Sequence, residues 1–378
     1  MTPLARTELP MEQRRICLVA GARPNFMKIA PIVRAMRDGF DRLQPFLVHT
    51  GQHYDREMSQ VFFEELAIPD PDYNIESGSG SHAEQTARIM VGFEELCRAV
   101  RLHHVLVVGD VNSTLACSVT AKKDGIPISH VEAGLRSFDM SMPEEVNRIV
   151  TDALSDWLFC TERSAVDNLV REGKSPQTMF LVGHVMIDTL LFHCDRLART
   201  DPATLESASF KKQFSRYGVV TLHRPSNVDD PLILGDFART FAEIARDLPL
   251  VFPLHPRTKK NVERFGIDFG PSVVLTPPLG YMDFLNLWKD AAIVLTDSGG
   301  LQEETTALGV PCLTLRENTE RPITVTEGTN TIVGTNHTVI LEETKKILRG
   351  HGKVGKRPDL WDGRAAERIV GTLARLVA

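Results

Sequence analysis

Ala291-Ala292-Ile293-Val294-Leu295-Thr296-Asp297-Ser298-Gly299-Gly300-Leu301-Gln302-Glu303-Glu304 passes from an apolar run through two glycines into a helical pattern that stops at Gly309-Val310-Pro311. The run reads as a buried strand, and strand, glycine turn and first helical turn together present bare backbone N–H groups to an anion. Ser298 adds a hydroxyl donor, and the glycines let a phosphate approach the backbone. Leu301, Glu304, Thr305 and Leu308 share one helical face, which points Glu304 inward. A buried carboxylate needs a partner, and ribose hydroxyls beside a bound diphosphate supply one. The segment therefore predicts a parallel α/β sheet with a nucleotide diphosphate at a strand end.

Working outward, short apolar strands alternate with helical patterns along nearly the whole chain, the signature of parallel α/β sheets. In the first half the strands are Ile16–Ala20, Pro45–His49, His104–Val108, Ile128–Val131, Trp157–Cys160 and Met179–Val182. Helices are expected at Met27–Arg37, Ser81–Arg101, Ser113–Lys123 and Glu144–Ala153, the last with Val146, Ile149, Val150, Ala153 and Leu154 on its core face. A second series comprises Gly218–Leu222, Leu250–Leu254, Val273–Leu275, Ile293–Thr296 and Cys312–Leu315. The polar stretch Arg196 to Gln213 reads as peripheral helix or linker. The expected organisation is a doubly wound Rossmann-like domain over residues 1–184, a second over 185–360, and a C-terminal helix within 361–378 that crosses back onto the first. Two such domains are expected to face a central cleft lined by their strand C-termini.

Composition narrows the function. With 378 residues, 42% hydrophobic and 24% charged, the chain is long enough for two full cores and is not of disordered composition. A net charge of −6 argues against a nucleic-acid partner. No apolar stretch reaches the roughly 20 residues of a membrane span, and Met1 to Arg15 lacks the apolar core of a signal peptide. Cysteines 17, 97, 117, 160, 194 and 312 are scattered and form no CxxC pair, as expected of small core residues in a reducing, cytoplasmic compartment. No metal-ligand spacing is present. Gly78-Ser79-Gly80-Ser81-His82-Ala83 matches a dinucleotide fingerprint, but Asp70-Pro71-Asp72-Tyr73-Asn74 stands where a core strand is required. It is assigned to a loop or helix start, and no nicotinamide cofactor is expected.

In parallel α/β domains the loops after strands carry function. After the first strand, Arg23 and Lys28 flank a turn with Pro24 at a helix start; both cations suit a phosphate. After the second comes His49-Thr50-Gly51-Gln52-His53-Tyr54-Asp55, dense in hydrogen-bonding groups. Gly109-Asp110 ends the third strand read here, and Glu132 ends the fourth, with Gly134 intervening before any helix. Pro143-Glu144-Glu145 opens a helix, and periodicity does not choose between its two acids. In the second half, His223-Arg224 and His255-Pro256-Arg257 follow successive strands, and Arg321 follows the strand after the glycine turn.

Taken in order, Gly21-Ala22-Arg23-Pro24…Lys28, Gly51-Gln52-His53, Gly109-Asp110, His130-Val131-Glu132-Ala133-Gly134-Leu135-Arg136, Pro143-Glu144-Glu145…Asn147-Arg148, His223-Arg224 and Asp297–Glu304…Glu320-Arg321-Pro322 resemble the non-hydrolysing UDP-N-acetylglucosamine 2-epimerases. The resemblance implies the glycosyltransferase-B architecture, a UDP-sugar substrate, a homodimer and no cofactor. It implies that Ser298, Gly299 and Gly300 hold the diphosphate, Glu304 the ribose, Phe284 the uracil and Arg321 a phosphate, with Arg23 and Lys28 approaching the same ligand. Asp110, Glu132, Glu144 and His223 are the implied catalytic residues, and the resemblance selects Glu144 over Glu145. The implied reaction eliminates UDP across C1 and C2 and adds it back with C2 inverted, served by carboxylates of raised pKa in a closed site. Three departures stand out. After Gln52-His53 the chain has Tyr54-Asp55 and lacks the glutamine that some bacterial members use in an allosteric site. Asn25 occupies a place where Glu is common, and Pro225-Ser226 precedes Asn227 where many bacterial members have Arg and Glu. The substituents beyond the 2-acetamido group stay open, as does regulation by a second substrate molecule. A 2-epimerase of a diacetamido-uronate, a hydrolysing 2-epimerase and a glycosyltransferase of the same architecture are the competing readings.

Overall fold

The computed structural model describes residues 13–51 and 63–377, and within them the chain forms two wholly parallel sheets, each in its own compact unit. One unit comprises Met1–Thr189 with Asp359–Ala378, the other Leu190–Pro358. Gln52-His53-Tyr54-Asp55 lie outside the described residues.

The first unit contains β1 (Arg14–Ala20), β2 (Leu43–His49), β3 (Tyr73–Asn74), β4 (His104–Val108), β5 (Ile128–Val131), β6 (Trp157–Cys160) and β7 (Met179–Leu181), in the order β3-β2-β1-β4-β5-β6-β7. Its crossovers include α1 (Arg23–Gly39), α2 (His82–Ala99), α3 (Asn112–Lys123), α4 (Pro143–Leu154) and α5 (Arg163–Arg171), and α6 (Val185–Ala198) contains the boundary between units. Strand β4 is buried at every residue and β1 at all but its first, which is why both read as unbroken apolar runs instead of alternating ones. Ile89, Phe93 and Leu96 of α2 pack with Cys17, Val19, Val105 and Val107 in one core.

In the second unit β8 (Gly218–Thr221), β9 (Leu250–Pro253), β10 (Val273–Thr276), β11 (Ile293–Thr296), β12 (Cys312–Thr314) and β13 (Asn330–Ile332) take the order β10-β9-β8-β11-β12-β13. Helices α7 (Ser207–Gln213), α8 (Pro225–Val228), α9 (Pro231–Ile244), α10 (Pro256–Phe265), α11 (Tyr281–Trp288), α12 (Gly299–Leu308), α13 (Pro322–Thr326) and α14 (His337–Leu348) surround it. At its centre Phe241 of α9 stacks with Phe237 and Phe269, and Phe252 meets Phe241 and Phe269 edge-on. The doubly wound parallel architecture expected from the sequence is present in both units. Each sheet reverses its strand order once, between β1 and β4 and between β8 and β11, and the carboxyl ends of those strands are where such sheets bind ligands.

The final helix, α15 (Ala365–Leu376), belongs to the first unit. Asp188 of α6 caps it, accepting from the backbone N–H groups of Ala365 (3.1 Å) and Ala366 (2.7 Å).

Two expectations are corrected. The apolar face expected to bury α4 points the other way: Val146 is 40% exposed and Ala153 is exposed, while Glu145, Asn147, Arg148, Thr151 and Asp152 are buried. Periodicity groups residues on a face without saying what that face meets, and here the opposite, polar face is buried, with Arg148 on Asp110 after β4 and Asp152 on His130 of β5. Helix α12 does not have a single inward face; every residue from Leu301 to Ala307 is buried. Glu303 is therefore as enclosed as Glu304.

Candidate active site

In the second unit the site grows from Asp297, the residue after β11. It is fully buried, and its carboxylate accepts from the backbone N–H groups of His223 (3.0 Å) and Arg224 (2.9 Å) and from Asn227 Nδ2 (3.1 Å). Asn227 also donates to the Leu315 carbonyl at 3.0 Å, so one acid and one amide tie together the ends of β8, β11 and β12. Oδ1 of Asp297 meets Nδ1 of His223 at 2.7 Å, and the imidazole itself is 38% exposed. Burial pushes the Asp297 carboxyl up, but His223 and the backbone donors outweigh it and hold the group below the usual carboxylate range. The acid thus fixes the imidazole through one nitrogen and leaves the other for chemistry.

His223 lines a cavity of about 350 Å³ together with Tyr281, Phe284, Ser298, Gly300, Leu301 and Glu304, and Leu222, Pro253, Pro278 and Leu279 give it an apolar wall. The glycine turn opens α12, with Ser298 at the N-cap and its hydroxyl not spent on capping. Its backbone N–H is satisfied from behind by Thr296 Oγ1 at 2.9 Å. Neither Gly299 nor Gly300 has positive φ, and a Cβ on Gly300 would meet nothing within 4 Å. The fold itself does not demand glycine here, and close approach by a ligand is the remaining physical reason for it. Glu304 Oε1 accepts from the Tyr281 hydroxyl at 2.9 Å. Burial and that carboxylate push the Tyr281 phenol well above its ordinary pKa. Arg321 pairs with Glu303 at 2.6 Å, and Arg316 pairs with Glu320 at 2.7 Å. Burial raises the Glu320 carboxyl, and Arg316 more than offsets it, leaving the group at about 2. His255 caps α10 and its ring lies 5.9 Å from that of His223, while Arg257 pairs with Asp229.

In the first unit the strand ends of β1, β4 and β5 converge. Arg23 begins α1, and its side chain lies outside the described residues. One turn further on, Lys28 Nζ pairs with Glu132 Oε2 at 2.5 Å, both nearly enclosed. Glu132 follows β5 with φ +72, a left-handed conformation that costs a side-chain-bearing residue about 1–3 kcal/mol. The ion pair and the bond from its backbone N–H to the Phe159 carbonyl (3.1 Å) hold it there. Asn25 is buried; its Oδ1 accepts from the Ala22 backbone N–H at 3.0 Å and its Nδ2 donates to the Val108 carbonyl at 3.2 Å. A carboxylate in its place has nothing to donate to that carbonyl, a physical reason for an amide here.

Asp110 Oδ2 meets Arg148 at 2.5 Å, and Arg148 Nε donates to Glu145 at 2.9 Å. Glu145 is only 1% exposed and also accepts from the backbone N–H groups of Ser137 (3.0 Å) and Phe138 (2.9 Å). It is committed to the β5–α4 loop, whereas Glu144, in the same helical turn, is half-buried. Glu145 and Arg148 thus form a support beneath Asp110, with Asn147 Nδ2 donating to the Asp110 carbonyl at 2.8 Å.

The structure therefore brings Lys28 to Glu132, Arg148 to Asp110, and His223, Phe284, Ser298, Gly300 and Glu304 to one cavity. Arg321 and Lys28 each face a glutamate. Among the described residues, no group of three His, Cys, Asp or Glu is arranged to hold a metal ion. Sequence reasoning missed the roles of Asp297, Tyr281 and Arg148. Asp297 and Arg148 stood inside quoted motifs, but their partners lie 74 and 38 residues away, and spacing along the chain does not report such pairings.

A sequence model of the family described as UDP-N-acetylglucosamine 2-epimerase matches residues 37–374. A UDP-2,3-diacetamido-2,3-dideoxy-D-glucuronate 2-epimerase of Pseudomonas aeruginosa is 40% identical over 96% of this chain and 100% of its own length. A UDP-N-acetylglucosamine 2-epimerase of Methanocaldococcus jannaschii is 38% identical over 95% of this chain and 98% of its own. The crystal structure of the Methanocaldococcus jannaschii UDP-GlcNAc 2-epimerase in complex with UDP-GlcNAc and UDP superposes with a TM-score of 0.82, covering 96% of this chain and 99% of that one.

Proposed function

The chain belongs to the UDP-N-acetylglucosamine 2-epimerase family, and from that premise we propose that it is a non-hydrolysing isomerase inverting C2 of UDP-N-acetylglucosamine to give UDP-N-acetylmannosamine. No carbonyl is attached to C2, so its proton is not acidic enough for simple removal. Elimination solves this: a base takes the C2 proton, the C1–O bond breaks, and its electron pair leaves on the β-phosphate oxygen of UDP. The intermediate is 2-acetamidoglucal. Readdition of that oxygen to C1, with a proton delivered to the opposite face of C2, completes the inversion without an external reactant.

The observation that carries this reading is the His223–Asp297 pair beside the glycine turn. It sets an oriented imidazole and free backbone donors where a departing diphosphate needs charge stabilisation. We assign the diphosphate to Ser298, Gly299 and Gly300, the ribose to Glu304, the uracil to Phe284, and phosphate contacts to Arg321, Arg23 and Lys28. Asp110, Glu132 and Glu144 handle the proton at C2. The family resemblance further supports a homodimer, and six unpaired cysteines fit a cytoplasmic setting. Among the described residues no helix is long and apolar enough to cross a membrane.

A second reading, the same reaction on a 2,3-diacetamido-uronate, is favoured by the 40% identity to the Pseudomonas aeruginosa protein. Incubating the purified chain in heavy water with UDP-GlcNAc and with UDP-2,3-diacetamido-glucuronate decides between them. Deuterium entering C2 of the first supports the main reading, and entry into the second alone supports the alternative. No exchange into either sinks both.

A further inference from the structure

His130, the third residue of β5, is fully buried, and both of its ring nitrogens face oxygen. Nδ1 lies 2.6 Å from Oδ1 of Asp152, and Nε2 lies 2.8 Å from the carbonyl oxygen of Gly109. A carbonyl oxygen only accepts. The other oxygen of Asp152 takes the Gly134 backbone N–H at 3.0 Å and Arg136 Nη2 at 2.7 Å, which marks Asp152 as an ionised carboxylate. Although burial pushes the Asp152 carboxyl up, His130 and Arg136 bring it below its ordinary range. Two acceptors opposite two ring nitrogens are both satisfied only by the doubly protonated ring. Its charge is balanced locally: His130 and Arg136 against Asp152 and Glu172, the last bound to Arg136 Nε at 2.8 Å.

What this cation joins is specific. Gly109 directly precedes Asp110, Glu132 stands two residues after His130, and Asp152 lies two helical turns beyond Glu144 on α4. Gly109 and Glu132 both leave their strands at positive φ, +67 and +72; glycine adopts that conformation freely, whereas for Glu132 it is costly and persists only where the surroundings hold it. The bond to the Gly109 carbonyl fixes one peptide plane, and the bond to Asp152 locks α4 against β5. We propose that His130, held as a buried imidazolium by Asp152, is the positioning residue that sets Asp110, Glu132 and Glu144 in mutual register for the C2 proton transfers. This rests on the epimerase reading. His130 is enclosed and acts through the carboxylates, not on the sugar.

The test compares two substitutions in the full chain. The amide of His130→Gln reaches the place of Nε2 and keeps the donor to Gly109, whereas that of His130→Asn reaches only the place of Nδ1. Small displacements of reacting groups cost on the order of 100-fold in rate, so H130N is expected to lose about that factor in kcat for C2 exchange, with KM and UDP affinity unchanged. H130Q is expected to retain substantially more. Separately, ¹⁵N spectra of histidine-labelled wild-type protein, with the His130 signals assigned by their loss in H130N, are expected to show both ring nitrogens protonated at pH 7. One unprotonated nitrogen, or equal losses in the two variants tracking a common drop in melting temperature, overturns the proposal. Absence of C2 exchange in the wild-type chain counts against the epimerase reading instead, because the ring spectrum is read without substrate.

Discussion

Asp297, fully buried at the end of β11, holds Nδ1 of His223 at the end of β8 across 2.7 Å. The pair bridges the two strands between which the second sheet reverses its order, and it turns a residue of the glycine-turn motif into the orienting acid for the imidazole. An acid that only orients and charges a histidine still matters greatly to rate. Asp297→Asn is therefore expected to lower kcat by about 10²–10⁴-fold, and His223→Gln by a similar factor. UDP binding, read by calorimetry, is expected to persist in H223Q. A D297N enzyme with wild-type kcat would show that the dyad is structural only.

Substituting Asp110→Asn, Glu132→Gln or Glu144→Gln is expected to abolish C2 hydrogen exchange while leaving UDP binding largely intact. For Glu132 the partner adds a second check: Lys28→Met removes the cation 2.5 Å away and is also expected to suppress exchange. Isotope exchange followed by NMR reads each case, and retained exchange in all three carboxylate variants refutes their assignment.

The Tyr281 hydroxyl is bonded to Glu304 at 2.9 Å and sits in the cavity assigned to the nucleotide. Tyr281→Phe removes one hydrogen bond to a charged group, a loss of about 1.5–3 kcal/mol, and UDP affinity is expected to fall about tenfold or more. Titration calorimetry measures it. Equal affinity in the two proteins would separate the Tyr281–Glu304 bond from nucleotide binding.

Two glycines are expected to respond in opposite ways. A Cβ on Gly300 meets open space, so Gly300→Ala should leave the melting temperature unchanged while weakening UDP binding. Gly134 has φ +80, and a Cβ there runs into the carbonyl of Ala165. Gly134→Ala should destabilise the first unit by about 1–3 kcal/mol from the backbone conformation alone, and by more with the clash. Denaturant unfolding of both variants distinguishes crowding by the fold from crowding by the ligand.

Glu320 has a folded-state pKa of about 2 against an ordinary 4.5. Because the folded value is the lower one, its ion pair with Arg316 contributes stability that is complete above pH 4.5 and is lost as pH falls toward about 2. Glu320→Gln should flatten the decline in stability of the second unit across that window, with little further change on acidification. A urea midpoint that declines equally steeply between pH 5 and pH 3 in E320Q and wild type, at the same ionic strength, would remove Glu320 from the account.

The alternation of apolar strands with helices, the glycine turn after Ile293–Thr296 and the placement of polar residues directly after strands were all legible in the sequence. They depend on near-neighbour spacing, periods of two or 3.6 residues and the stop signals of glycine and proline. Only the tertiary structure decided what each of those residues meets. Helix α4 carries a clear apolar stripe, yet it buries Glu145, Arg148 and Asp152, because their partners, the Asp110 carboxylate, the His130 ring, Arg136 and the Gly134 backbone N–H, all lie on its polar side. Asp297 and His223, 74 residues apart, are partners because β8 and β11 lie side by side, and Glu132 and Lys28, 104 apart, because β1 and β5 flank β4 and α1 starts at the end of β1. Local sequence sets periodicity and turns, but the partner of a buried charge is set by which strands lie side by side, and that is a property of the folded sheet.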